Sequence, residues 1–185
     1  MEFGELGYEG ASTLSIARRA DAHQPQINYH FSSKEELWRA AVDRLFADLD
    51  ESAPDVTPGD DLAATFAMWI RHTVESFAAR PQLNQIMAKE ATAPSERLTW
   101  IVERHVQSKY DTVRRVWAEL QAQGVAAPID AELAHYVIVG AASLPFVHAA
   151  EANLLLDGDP FEPERVERHI DGLIATLLPG LDLDH

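Results

Sequence analysis

The sequence contains no cysteine, which excludes disulfides, thiolate metal sites and cysteine nucleophiles together. It has no apolar run near the ~18 residues that a membrane-crossing helix needs. It also has no basic start followed by an apolar stretch and a cleavage site. A soluble, cytoplasmic protein with no membrane partner is the expectation. Cations are scarce as well: 15 Lys and Arg stand against 30 Asp and Glu, a formal net charge of −15 over 185 residues. A chain of that charge is ill suited to coating nucleic acid without regard to sequence. The deficit is uneven, however. Residues 1–46 hold five Lys/Arg against seven Asp/Glu, a net of −2, while the remainder holds ten against twenty-three, a net of −13. The near-neutral first segment also carries His23 and His30.

What the sequence does have is apolar content, 46% of its residues, arranged at helical spacing almost throughout. No stretch alternates well enough for a strand, so the fold expected is all-α. Ser12 precedes a short segment with Leu14, Ile16, Ala17 and Ala20. Pro25 stands in the first turn of another, where its missing N–H costs nothing. Ser33 to Glu36 reads as a capping box opening a helix with Leu37, Val42, Leu45 and Phe46 on one face. A loop is expected from Ala53 to Gly59, with Pro54 and Pro58. A wide apolar stripe follows, from Leu62 through Phe66, Ile70 and Val74 to Phe77, before Pro81 breaks it. The longest helix is expected from Pro94-Ser95 to Gly124. Another starts at Asp130 and should kink at Pro145, and Pro163 begins the last.

Two short helices around a tight turn, followed at once by a capped third, are what a helix-turn-helix requires: the first braces and the second enters the major groove. The second is crowded with His23, Gln24, Gln26, Asn28, Tyr29 and His30. Gln and Asn can bond adenine edges in a bidentate way, whereas Tyr and His can reach phosphates. A plain polar surface helix would look much the same.

The run Gly7-Tyr8-Glu9-Gly10-Ala11-Ser12-Thr13, then Ile16-Ala17-Arg18-Arg19-Ala20, then Ile27-Asn28-Tyr29-His30-Phe31-Ser32-Ser33-Lys34-Glu35-Glu36-Leu37 resembles the DNA-binding domain of the TetR/AcrR family of transcriptional regulators. The resemblance covers about residues 2–46. It implies that Ser12 and Thr13 begin the bracing helix and hold a phosphate. It further implies that Gln24, Gln26 and Asn28 contact bases, and that Tyr29, His30 and Lys34 touch the backbone. This sequence departs from the family at three places. Asp21 stands where the turn has glycine, although Asp tolerates the left-handed region. His23 replaces the serine cap. The first helix is reduced to Met1 to Leu6, with only Phe3 and Leu6 left of its apolar stripe, so a looser N-terminal domain is expected.

The domains expected are residues 1–46, a three-helix helix-turn-helix unit, and 47–185, a larger helical unit for ligand binding and dimerisation. Phe66, Trp69, Met87, Trp100, Tyr110, Trp117 and Phe146 would suit the lining of an apolar effector cavity, though ordinary core is the commoner role of such residues. His105, His135, His148 and His169 are scattered without ligand spacing, so neither a metal nor a cofactor is expected. No phosphate loop, nucleophile elbow or Ser/His/Asp order appears, so no catalytic residue and no enzyme are expected. The last two helices are the dimer candidate, through Ala141, Leu144, Val166, Ile170, Leu173, Ile174 and Leu177, intramolecular burial being the alternative. The reading that results is a homodimeric repressor that binds double-stranded operator DNA, pseudo-palindromic in sequence, and is released by a small apolar or aromatic effector. The other reading is a dimeric helical small-molecule-binding protein whose DNA binding is impaired by the short first helix.

Overall fold

The computed structural model of the chain describes residues 2–51, 53–56 and 61–181. Met1 of the expected first helix, and Pro58 and Gly59 of the expected loop, lie outside the described residues. Among the described residues there is no strand, and the fold is all-α. No single helix among them is long and apolar enough to cross a membrane. The chain divides into two compact units, Met1–Glu51 with Gln82–Thr99, and Ser52–Pro81 with Trp100–His185.

The first unit contains α1 (Glu2–Gly10), α2 (Thr13–Arg19), α3 (Gln24–His30), α4 (Lys34–Asp50) and α6 (Gln82–Glu90). The sequence reading put all of residues 82–99 in the larger domain, but the structure groups them with the first 51. The physical reason is the close approach of α6 to α1. Gly4 has no side chain, and a Cβ there would lie 2.8 Å from Gln85 Oε1 and 3.4 Å from the Gln82 Cα. Lys89 Nζ donates to the Gly4 carbonyl at 2.5 Å, and Leu83 and Ile86 are buried. Gly7, at φ 73°, breaks α1 into two helical pieces. Of the two apolar residues expected to pack there, Phe3 is buried and Leu6 is exposed.

The second unit contains α5 (Leu62–Ala79), α8 (Gln107–Ala122), α9 (Ala131–Val147), α10 (Ala149–Leu155) and α11 (Pro163–Leu177). The long helix expected after Pro94 is not uniform: α7 (Glu96–Ile101) and α8 are separated by a π-helical stretch, Val102–Val106. On α5, Leu62, Phe66, Ile70, Val74 and Phe77 are buried at three- and four-residue spacing. Pro145 does not stop α9, which runs on to Val147. The bend comes after it, where α10 leaves at 78°. Pro145 has no N–H for the carbonyl four residues back, that of Ala141. His169 of α11 supplies the donor instead, with Nε2 3.0 Å from that oxygen.

Most of the dimer residues expected on α11 are covered by the chain itself. Val166, Ile170, Ile174 and Leu177 are all buried within the unit, where α11 packs on α5 and α9. Burying side chains of this kind contributes ~1.5–3 kcal/mol each, so the amphipathic stripe is used inside the chain. Leu173 and Ala141 are half-buried. Leu144 is exposed, and with it Leu133, Tyr136 and Val137. They lie on the side of α9 opposite buried Ala134, Ile138, Ala142 and Phe146.

Candidate nucleic-acid interface

Ser12 caps α2 from extended backbone, and the cap is reciprocal: Ser15 N donates to Ser12 Oγ at 3.0 Å and Ser12 N to Ser15 Oγ at 3.1 Å. The Ser12 hydroxyl, expected to face a phosphate, is therefore engaged in holding the helix start. Ala17 is buried, and Ile27 and Phe31 are half-buried. The turn survives without glycine because Asp21 itself adopts φ 50°. Bonds across the turn tie the two helices, Ala22 N donating to Ala17 O at 2.9 Å. Gln24 Nε2 also lies 3.3 Å from Thr13 Oγ1.

The cap at His23, which stands in place of serine, is closed from the other end. Gln26 reaches back, and its Oε1 accepts from His23 N at 2.9 Å. Asn28 and His30 are exposed, and Tyr29 keeps 86% of its surface, its ring edge-on to His30 at 5.3 Å. No residue of α3 is buried. The bonding side chains thus face outward while the apolar ones turn inward.

Ser33 caps α4 by accepting from Glu36 N at 3.0 Å. Glu36 closes not on Ser33 but on Ser32, through its hydroxyl at 2.6 Å and its N–H at 2.7 Å. Those two bonds, the hydroxyl's first, hold the Glu36 carboxyl below the usual carboxylate range. Lys34, expected to reach a phosphate, is half-buried. Its Nζ sits 4.5 Å from the Tyr8 ring centre and donates to the Glu9 carbonyl at 3.4 Å. The residue that sequence reasoning missed is Arg97. Its guanidinium lies 3.9 Å from the same ring, and its Nε is 3.1 Å from buried Glu90. Its partners are 88, 89 and 7 residues distant or local to α6, so only the aromatic at position 8 hinted at a cation nearby.

The expected effector residues are not brought together as a set. Phe66 stacks on Trp69 at 5.2 Å and meets Trp117 at 6.1 Å. Phe146 instead pairs with Phe161, Trp100 with His105, and Tyr110 with His135 and Tyr136. Met87 belongs to the first unit. Phe66, Trp117 and Phe146 are core residues, fully buried, and Trp117 Nε1 donates to Ile129 O at 3.0 Å. An open groove of about 970 Å³ runs beside α8, lined by Glu103, Gln107, Asp111, Arg114, Arg115 and Glu132 among others. None of the expected aromatics lines it.

Comparison with known proteins matches two stretches of the sequence. Residues 1–41 match the family described as bacterial regulatory proteins, tetR family. Residues 65–181, more than half the chain, match the C-terminal domain of the HTH-type transcriptional dual regulator CecR. The chain belongs to the TetR family of transcriptional regulators. Among solved structures, this TetR-family chain is similar to AibR in complex with isovaleryl coenzyme A and operator DNA, at a TM-score of 0.76 and 18% identity over 96% of this chain and 92% of that one. It is also similar to a Clostridium perfringens putative fatty acid metabolism regulator, at 0.75 and 17% over 98% and 95%. A third likeness is to the ketosteroid transcriptional regulator KstR2 of Mycobacterium tuberculosis, at 0.68 and 20% over 96% and 88%. At these identities the likeness is one of fold. No match is found among curated proteins.

Proposed function

We propose that this TetR-family regulator is a homodimeric repressor that responds to a small apolar effector and binds a pseudo-palindromic operator. The observation that carries the reading is the face of α3. Gln26, Asn28, Tyr29 and His30 are exposed, on a helix whose apolar side packs on α2. Two such helices about one turn of B-DNA apart, ~34–36 Å, would enter successive major grooves. The domain assignment, residues 1–46 for DNA and 47–185 for effector and partner, belongs to the same proposal, with 82–99 packed in the DNA-side unit.

The apolar side of α9 that the chain leaves uncovered, Leu133, Tyr136, Val137 and Leu144, supports a second copy as its cover. Gly140 and Gly172 have open space where a Cβ would stand, so a partner helix can approach closely. A two-fold axis then follows from using the same patch twice. For the effector, the isovaleryl coenzyme A held by the AibR structure supports an acyl chain as the apolar ligand. Half-buried Trp69, stacked on Phe66, is the member of the Phe66, Trp69 and Trp117 cluster with surface to offer it. The effector acts only through its differential affinity for the DNA-competent and released arrangements.

Binding to the intergenic DNA upstream of the protein's own gene, followed by fluorescence anisotropy, tests the reading. Asn28→Ala should cost ~1–3 kcal/mol at one base position, and Lys34→Ala should weaken all sequences alike and reduce the salt slope by about 1. Failure of the wild-type chain to distinguish this DNA from a scrambled duplex would sink the proposal.

A further inference from the structure

The start of α3 limits what Gln26 can say to a base. The backbone N–H of His23 can only donate, so the amide atom 2.9 Å from it is Oε1 and cannot be the nitrogen. This fixes the amide's orientation without reference to any ligand. Gln26 is exposed, and the end of its side chain left for a ligand is the NH₂ group, a donor of two hydrogens.

The usual glutamine contact, bidentate to adenine, needs both ends of the amide at one base edge: the NH₂ donating to N7 and the oxygen accepting from N6–H. Turning Oε1 toward the base would break the bond to His23 N and reopen the start of a seven-residue helix. An amide that offers only N–H groups meets two acceptors side by side on guanine, N7 and O6. On adenine it meets the N6 amino group, donor against donor.

We propose that Gln26 is a specificity-determining residue that selects guanine over adenine, because its carbonyl is committed to the helix cap. The inference rests on the proposed entry of α3 into the major groove. Asn28 is exposed on the same helix.

The test is selection of a randomised duplex library by the full-length protein and by three variants. Gln26→Ala identifies the position that residue 26 reads, as the one whose preference disappears. At that position the wild type should enrich guanine over adenine about tenfold. Gln26→Glu keeps an oxygen for His23 N but presents an acceptor outward, so the preference should move to cytosine, whose N4 donates. His23→Pro removes the N–H and frees the amide with residue 26 untouched, so adenine should rise at the same position. Should His23→Pro fail to fold, judged by its circular dichroism, Gln26→Glu still decides the matter. Adenine enriched by the wild type, or the same base chosen by wild type and Gln26→Glu, overturns the proposal and leaves the regulator reading intact. No position losing its preference in Gln26→Ala also overturns it. A wild type that enriches no sequence at all overturns both.

Discussion

α3 and α9 are held by different kinds of force. α3 has no buried residue. It is kept in place by half-buried Ile27 and Phe31, the Ala17 contact and a series of cap and turn bonds. α9 seats Ala134, Ile138, Ala142 and Phe146 at 1% exposure or less. A helix held by polar bonds that water can replace opens at low free energy, whereas one held by buried apolar surface opens only with its whole unit. The difference suits their tasks: a reading helix must adjust to a duplex, and a bundle helix must hold a fixed angle. Amide exchange over residues 24–30 should therefore be faster, at equal pH, than over residues 131–147.

The largest blow to one side of that comparison is Trp117→Ala. Trp117 has no exposed surface, and truncating such a residue costs ~3–5 kcal/mol because the cavity left behind collapses only in part. The Ile129 carbonyl keeps a donor, Gln121 Nε2 at 2.7 Å, so the loss comes from packing. Urea titration should show it in the second unit's amides and spare α2 and α3. A loss under 1 kcal/mol would contradict the packing described for α8.

Next in size is His169→Ala, which strands the Ala141 carbonyl that Pro145 already deprived of its own donor. An unpaired acceptor costs ~1–3 kcal/mol when fully buried, and the half-buried Ala141 carbonyl should lie at the low end of that range. His169 also separates the units by pH. Burial holds both His135 and His169 below the ordinary imidazole value of 6.5. As pH falls through 6.5 the unfolded chain takes up protons that the folded chain refuses, so the second unit's stability declines below that point. In the first unit the groups held low are carboxylates, which titrate in a more acidic window. Arg19 holds Glu5, and Ser32 holds Glu36, below the ordinary carboxylate value of 4.5. Those contributions are present above 4.5 and disappear only as pH falls through the lower folded values. Melts between pH 7 and 5 should therefore weaken α9 and α11 first, and the His135→Leu, His169→Gln double variant should lose most of that slope.

Punctuation was legible in the sequence because it is local. Ser33 caps α4, α5 stops before Pro81, and Pro163 starts α11, each for a reason contained within a few residues. The helix-turn-helix was legible for the same reason, down to Asp21 in the left-handed region. Choices between faces were not. α9 is apolar on both sides, and spacing alone cannot say which side the chain covers. The stripe of α11 is equally open to a partner or to the chain's own core, and in the fold Val166, Ile170, Ile174 and Leu177 are drawn inward. The attachment of α6 to α1 depends on Gly4 and Lys89, 85 positions apart, and no local pattern announces it. Gln26 could be taken for a reader of adenine because a polar residue near a helix start can serve the groove or the cap, and only the fold turns its Oε1 back to His23 N.

Smaller changes probe the polar side of the comparison. Ser12→Ala removes the acceptor for Ser15 N and should cost ~1 kcal/mol, read as faster exchange in α2. Asp21→Gly should do least. In the left-handed region an ordinary side chain costs ~1–2 kcal/mol, Asp less and glycine nothing, so the substitution relieves the folded turn. Glycine also frees the unfolded chain, which opposes folding by ~0.4–1 kcal/mol. The two nearly cancel, and the net change should be a few tenths either way. Asp21→Val supplies the contrast: it keeps the unfolded chain stiff but places a β-branched residue at φ 50°, where the full ~1–2 kcal/mol falls on the turn. If exchange over residues 24–30 responds equally to Val and Gly, the turn is not what orients α3, and the bond between Gln24 and Thr13 must be carrying that role.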